Sequence, residues 1–356
     1  LLPHPMKALL YLACCSLAFG GDIIVRDAQE LAAALRSLPR TEGTRLRIAP
    51  GVYPGGHHVT GVEGLTIEAL DPKNPPHFQG GTNGWQFSQC RNLTVRGLRL
   101  SGQTGNGLNL DDGGQYDKPV TGVTIEDLEI SDVGPKGNHD GIKCSGLTQL
   151  TIRRCAISGW GGQGIDFVGC HKSQITECRF IGKPGFTATA AIQLKGGSSD
   201  ILITKCHFLQ AGERPLNLGG STGLAYFRPP GAKYEAARLK VTHNTIEGSP
   251  CAAAFVGVDG AEFSHNTILF PTQWIFRILQ ETREPGFAPC RNVRITDNRI
   301  VFRRGELKSD LNVGTGTEPL TFVFERNRWF AEDRPKASRP SLPTPEKDGQ
   351  YGQDPR

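Results

Sequence analysis

Apolar and polar residues alternate in short runs along most of the chain, and nine copies of one phrase carry the alternation. They are NLTVRGLRL (92–100), GVTIEDLEI (122–130), LTIRRCAI (150–157), SQITECRF (173–180), ILITKCHF (201–208), LKVTHNTI (239–246), AEFSHNTI (261–268), VRITDNRI (293–300) and FVFERNRW (322–329). Each reads as a strand, a kink and a second apolar pair, with the period of two that strands require. Between copies runs a second strand of the form apolar-x-apolar: LNL (108–110), IKC (142–144), IDF (165–167), IQL (192–194), LNL (216–218), FVG (255–257), FRI (276–278) and LNV (311–313). Several short strands recurring every roughly 21 to 39 residues, with variable turns, predict an all-β solenoid, the parallel β-helix.

Two positions before the last apolar residue of each phrase, the sequence places Leu98, Leu128, Cys155, Cys178, Cys206, Asn244, Asn266, Asn298 and Asn327. The last four predict an asparagine ladder, each side-chain amide bonding the next rung. Upstream, DIIVRDAQELAAALRSL (22–38) predicts a strand and an amphipathic helix that covers the apolar end of the stack, with GTRLRIAPGVYPGG as the first coil. The solenoid is predicted over 21–332, and the Pro-rich, charged tail 333–356 is expected to be an extended strap or disordered.

Composition adds compartment and partner. MKALLYLACCSLAFG, residues 6–20, has a basic start and an apolar stretch too short to cross a bilayer, so 1–20 is read as a secretory signal, with 1–5 an upstream start extension. A secreted or periplasmic protein is expected, and lipoprotein anchoring at LACC is the lesser reading. Of ten cysteines, eight lie beyond the signal. Cys155, Cys178 and Cys206 share one slot of consecutive repeats, which predicts stacked reduced thiols rather than disulfides. The 45 Gly and 24 Pro fit many turns, and a net charge of +5 inclines the surface toward anionic partners without suggesting nucleic acid. No other segment can span a membrane, and a monomer is expected.

In an apolar-x-apolar strand the middle residue points outward, so coils stacked about 4.8 Å apart align Asn109, Lys143, Asp166, Gln193, Asn217, Val256, Arg277 and Asn312 in one external column. His139 and Asp140 precede Lys143, His171 and Lys172 follow Asp166, and Lys195 points outward two places after Gln193. Arg214 lies 19 residues after Lys195, close to one coil. The insertion STGLAYFRPPGAKYEA (221–236) offers Tyr226, Phe227, Arg228 and Tyr234 as groove walls. Arg277 stands far enough along the column for a distal sugar, and Asp259, Glu281 and Arg283 are rim candidates. Against a solvated surface ladder, worth at most about 1 kcal/mol per pair, stands the concentration of titratable groups on four coils.

These repeats resemble the right-handed parallel β-helix proteins of the pectate-lyase-like superfamily, whose long groove binds polysaccharide. The fold hosts lyases, hydrolases, epimerases and adhesins, so the resemblance fixes no reaction. The Lys195/Arg214 pair is similar to that of calcium-assisted lyases acting on alginate and dermatan-type chains, which implies an acidic, uronate-containing substrate, β-elimination, and calcium as the candidate cofactor. Those enzymes carry acidic calcium ligands just before the lysine, where this chain has TATAAIQ, which leaves the metal open. Lys195 or Lys143 is then the candidate base, with His139 an alternative, and Arg214 the acid or carboxylate clamp. A lysine beside Asp166 is held charged, which favours Lys195 as base and Lys143 as binder. Asn109, His171, Gln193, Asn217, Tyr226, Arg228 and Arg277 are candidate substrate contacts. NHDGI (138–142) is similar to the NTDGI strand of polygalacturonase-type glycosidases, which makes an inverting hydrolase using Asp140 and Asp166 the second reading. A non-catalytic glycan-binding or cell-surface protein is the third.

Overall fold

The alternating phrases form strands that wind through three parallel sheets of 14, 10 and 12 strands. The computed structural model describes residues 21–39 and 43–356, and the segment read as a signal lies outside the described residues. Each full coil gives one strand to each sheet. The inward residues stack in columns; on the fourteen-stranded sheet one runs Ile125, Ile152, Ile175, Ile203, Val241, Phe263, Ile295 and Phe324. All are buried. Stacking like on like from coil to coil keeps the interior dry and close-packed.

The kink in each phrase has a backbone cause. The residue just before the Leu/Cys/Asn slot is left-handed in every copy: Gly97, Asp127, Arg154, Glu177, Lys205, His243, His265, Asp297 and Arg326, with φ between 52° and 64°. A single left-handed residue turns the chain from the fourteen-stranded sheet to the twelve-stranded one. Eight of the nine are not glycine, a conformation that costs roughly 1 kcal/mol each. The slot residue repays it: Asn244, Asn266, Asn298 and Asn327 are buried, and their Nδ2 groups donate down the ladder to the next Oδ1 at 3.0, 3.1 and 2.8 Å.

The tail is a strap. Glu346 ends the ladder, its Oε1 accepting from Asn327 Nδ2 at 2.8 Å and its Oε2 from Trp329 Nε1 at 2.7 Å and Tyr351 Oη at 2.8 Å. Gln350–Tyr351 then adds a final strand beside Arg328–Ala331. At the other end, Asp22–Val25 pairs with Arg45–Ile48, and the helix Ala28–Arg36 closes the stack with Leu31 and Ala34. Asp27 caps that helix by accepting from the Gln29 and Glu30 amides at 2.9 and 2.8 Å. All eight described cysteines are free and buried, and burial pushes the Cys251 and Cys290 thiols up to about 12. No described helix is long and apolar enough to cross a membrane.

Candidate functional site

The column expected from the sequence lies on the ten-stranded sheet. Its register runs His58, Gln86, Asn109, Lys143, Asp166, Gln193, Asn217, Ala254, Arg277 and Asn312. One member differs from expectation: Ala254, not Val256, stands between Asn217 and Arg277. Cys251–Val256 is buried throughout, so no alternation marks its register. Val256 falls two places on, opposite Leu279. The sequence reading also missed His58 and Gln86, which extend the column by two coils.

At its centre two carboxylates lie under two lysines. Lys143 Nζ donates to Asp140 Oδ2 and Asp166 Oδ2, each at 2.9 Å. Lys195 Nζ stands 3.1 Å from Asp166 Oδ1, an ion pair lacking hydrogen-bond alignment, so Lys195 lies beside Asp166 as well and the expectation that only Lys143 would do so is corrected. Both carboxylates are wholly buried, whereas the Lys143 and Lys195 side chains keep 22% and 15% of their surface. The ammonium groups therefore reach the surface, with the acids behind them. Asp140 is held further by the Gln163 amide, which donates to Oδ1 at 2.8 Å. Burial and the neighbouring Asp166 raise the Asp140 carboxyl above its ordinary value. Burial alone would lower Lys143, but the two carboxylates outweigh it and hold the ammonium well above the ordinary lysine range.

Lys195 and Arg214 are not stacked. Gln193 pairs with Asn217, a coil of 24 residues rather than 19. The Arg214 amide instead bonds Thr189 O at 3.1 Å, before the strand Ala190–Lys195 begins. Backbone positions of Lys195 and Arg214 thus lie at opposite ends of the strand. The Arg214 guanidinium reaches to 3.8 Å from Glu281 Oε1, and with Arg277 and Trp274 it lines a pocket of about 250 Å³. Arg277 stacks on the Trp274 ring, 4.6 Å from its centroid, and donates to Asn312 Oδ1 at 2.9 Å. Lys308 Nζ approaches the same ring at 5.3 Å. Trp274 was missed because it precedes the FRI strand; an aromatic one residue before an apolar pair was the available signal.

Several expected contacts serve the walls instead. Arg228 is buried, with its Nε 2.6 Å and Nη2 3.0 Å from the Asp112 carboxylate and its guanidinium 4.0 Å over the Tyr116 ring. Gly169 makes room for it: a Cβ there would meet the Arg228 side chain at 2.4 Å. Both His171 nitrogens are engaged, Nδ1 with Ser199 Oγ at 3.0 Å and Nε2 with Arg228 O at 3.1 Å, and burial lowers its pKa. These residues anchor the insertion. Glu235, unnoticed in the sequence, clasps its base: the Gly196 amide at 2.9 Å, the Thr222 amide at 2.9 Å and Thr282 Oγ1 at 2.6 Å all donate to its buried carboxylate. Tyr226 is exposed on the same insertion. The His139 ring lies back on the turn at Gly134 and Gly137. Asn109 is tied to Asn106 and Asp111 at 3.2 Å each, Gln193 Nε2 contacts Gly219 O at 3.4 Å, and Asn217 Oδ1 is buried without a hydrogen-bond partner in the protein.

A calcium site does not fit these residues. Among the described residues no three His, Cys, Asp or Glu groups converge as metal ligands. Asp140 and Asp166 already face ammonium groups, and the strand that ends in Lys195 is preceded by no acidic side chain, as TATAAIQ indicated.

Residues 83–268 match the family described as Right handed beta helix region, and the chain belongs to that family. No curated protein matches it. Among solved structures it is similar to an alginate lyase from Paenibacillus sp., with 18% identity, TM-score 0.55, and coverage of 82% of this chain and 97% of that one. It is similar to the A-module of a mannuronan C-5 epimerase from Azotobacter vinelandii at 13% identity and TM-score 0.59, covering 95% and 97%. An exopolygalacturonase from Thermotoga maritima aligns at 12% identity and TM-score 0.52, covering 82% and 88%. At these identities the likeness is one of fold.

Proposed function

We propose that the protein is a carbohydrate-active enzyme that cleaves a uronate-containing polysaccharide by β-elimination in the groove over the ten-stranded sheet. The observation that carries this reading is the wholly buried Asp166 carboxylate, which holds the Lys143 and Lys195 ammonium groups at the groove floor, 2.9 and 3.1 Å away. Elimination from a uronate needs three things: a cation on the carboxylate to acidify C5, a base for the C5 proton, and a proton for the leaving oxygen.

Lys143 supplies the cation, because two carboxylates keep it charged. Lys195 is the base. Its one contact with Asp166 lacks hydrogen-bond alignment, whereas Lys143 is fixed by two hydrogen bonds, so Lys195 is the freer of the two to turn toward a C5 proton. In the reaction the C5–H and C4–O bonds break, the C4–C5 double bond forms, and the proton taken by Lys195 passes to the leaving oxygen. Arg214, Arg277 and Trp274 hold a sugar farther along the chain, and Tyr226 forms part of the wall. The similarities to an alginate lyase and a mannuronan epimerase, both named for uronate polymers, agree with an acidic substrate.

The hydrolytic reading with Asp140 and Asp166 fits less well. Both carboxylates bond one ammonium at 2.9 Å, so those oxygens are no more than about 5.8 Å apart, whereas inverting pairs stand roughly 6.5–9.5 Å apart around a water. Neither carboxylate reaches solvent. The test is incubation of the mature protein with alginate, pectin, glycosaminoglycans and neutral glycans, following ultraviolet absorbance and reducing ends together. Both signals rise for a lyase; reducing ends alone would replace it with a hydrolase, and no product on any glycan would leave a binding protein.

A further inference from the structure

On the outer face of the fourteen-stranded sheet, Arg47, Glu68, Arg96, Glu126 and Arg153 occupy one register position on five successive coils. Glu68 accepts from Arg45 Nη2 and Arg96 Nε, each at 2.7 Å, and Glu126 from Arg153 Nε at 2.6 Å and Arg154 Nη2 at 2.9 Å. The carboxylates keep only 5% and 7% of their side-chain surface, while the five arginines keep 32–46%. Glu68 and Glu126 lie at the base, and the guanidinium groups form the surface together with Asp127, which Arg154 grips through two bonds of 2.8 Å, and Glu129, 2.7 Å from Arg99.

A cleft of about 830 Å³ opens over this ladder, lined by seven basic and four acidic side chains. Exposed ion pairs contribute little stability, and pairing alone needs no surplus of two cations, the excess that is left once Asp22, 3.3 Å from Arg47 Nη1, is added to the four acids. Guanidinium forks match carboxylate and sulfate oxygens two at a time. Arg47, Arg96 and Arg153 recur every second coil, about 9.6 Å apart, a spacing close to the length of a disaccharide unit.

We propose that this cleft is a second glycan-binding site, on a different sheet from the lysine groove, that takes carboxylated or sulfated oligosaccharides. It holds the polymer without cleaving it, and its existence does not depend on the reaction in the groove.

The full chain is titrated calorimetrically with an oligogalacturonate hexamer, a heparin-derived hexasaccharide and an oligodeoxythymidylate of similar charge. Binding of one or both glycans, weakened by salt, is expected; the first identifies carboxylate and the second sulfate as the ligand chemistry. Arg45→Gln with Arg154→Gln leaves Glu68 and Glu126 each with two guanidinium partners and weakens binding at least tenfold. If that pair alters thermal unfolding, Arg45→Lys with Arg154→Lys keeps the charge, removes the forks and weakens binding at least threefold. Binding unchanged in the variant that folds, binding lost in Arg214→Gln with Arg277→Gln alone, or binding of the oligodeoxythymidylate without either glycan overturns the proposal.

Discussion

Lys143 and Asp166 occupy the same register position on adjacent coils, and their Nζ and Oδ2 atoms stand 2.9 Å apart with the carboxylate wholly buried. The same carboxylate faces Lys195 through its other oxygen. One buried charge thus holds two cations that reach the surface. Asp166→Asn removes that charge while keeping the shape, leaving both lysines short of a partner. Breaking a buried pair this way costs about 3 kcal/mol. Urea denaturation at neutral pH is expected to show that loss, and turnover is expected to fall with it as the lysines leave their positions.

The asparagine ladder gives a graded stability test. Asn298 accepts from the Asn266 amide at 2.9 Å and from Asn266 Nδ2 at 3.1 Å, and donates to Phe263 O at 3.0 Å and Asn327 Oδ1 at 2.8 Å. Asn298→Ala leaves the buried Asn266 backbone amide without its acceptor and takes one bond each from Asn266 Nδ2, Phe263 O and Asn327 Oδ1, an expected loss of about 3 kcal/mol. Glu346 ends the ladder near solvent, so Glu346→Ala is expected to cost about 1.5 kcal/mol. Equal costs in chemical denaturation would show that the ladder does not carry stability rung by rung.

How much of this was legible depended on alternation. Where apolar and polar residues alternated, as in IKC and IDF, the sequence named Lys143 and Asp166 as stacked neighbours, and they are. Where alternation failed, in the uniformly apolar Cys251–Val256, the predicted register slipped by two. Residue spacing misled at Arg214 because coil length varies: 23 residues separate Lys143 from Asp166, 24 separate Gln193 from Asn217, and 37 separate Asn217 from Ala254, so a separation of 19 marks no register. The insertion was beyond sequence reasoning for a different reason. Arg228 finds Asp112 across 116 residues of chain, and no local pattern marks such a pair.

The anchor of that insertion is expected to respond to acid. His171 donates from Nε2 to Arg228 O, and burial makes the folded imidazole harder to protonate than the unfolded one. A base with a lowered folded pKa contributes stability that is full above its unfolded value, about 6.5, and is lost as pH falls through the folded value. The urea midpoint of the native chain is therefore expected to decline from pH 7 to 5. His171→Gln, which cannot titrate, is expected to start lower and lack this share of the decline. The hydrogen-exchange protection of the Phe227 and Arg228 amides, taken relative to the intrinsic rate at each pH, is expected to fall over the same range in the native chain only.

The register also separates two residues that sequence spacing had joined. Lys195 sits beside Asp166 at the groove floor, whereas the Arg214 backbone is level with Thr189, and its side chain lines the pocket with Arg277 and Trp274. If Lys195 takes the proton, Lys195→Ala is expected to lower kcat by at least a thousandfold, with a far smaller change in KM. Arg214→Ala and Trp274→Ala remove contacts made equally to substrate and transition state, so KM is expected to rise about tenfold with kcat within about threefold. Steady-state kinetics on a soluble uronate polymer separates the two cases. A collapse of kcat in Arg214→Ala would place the reacting sugar at the Trp274 pocket instead, and an active Lys195→Ala enzyme would remove Lys195 as base.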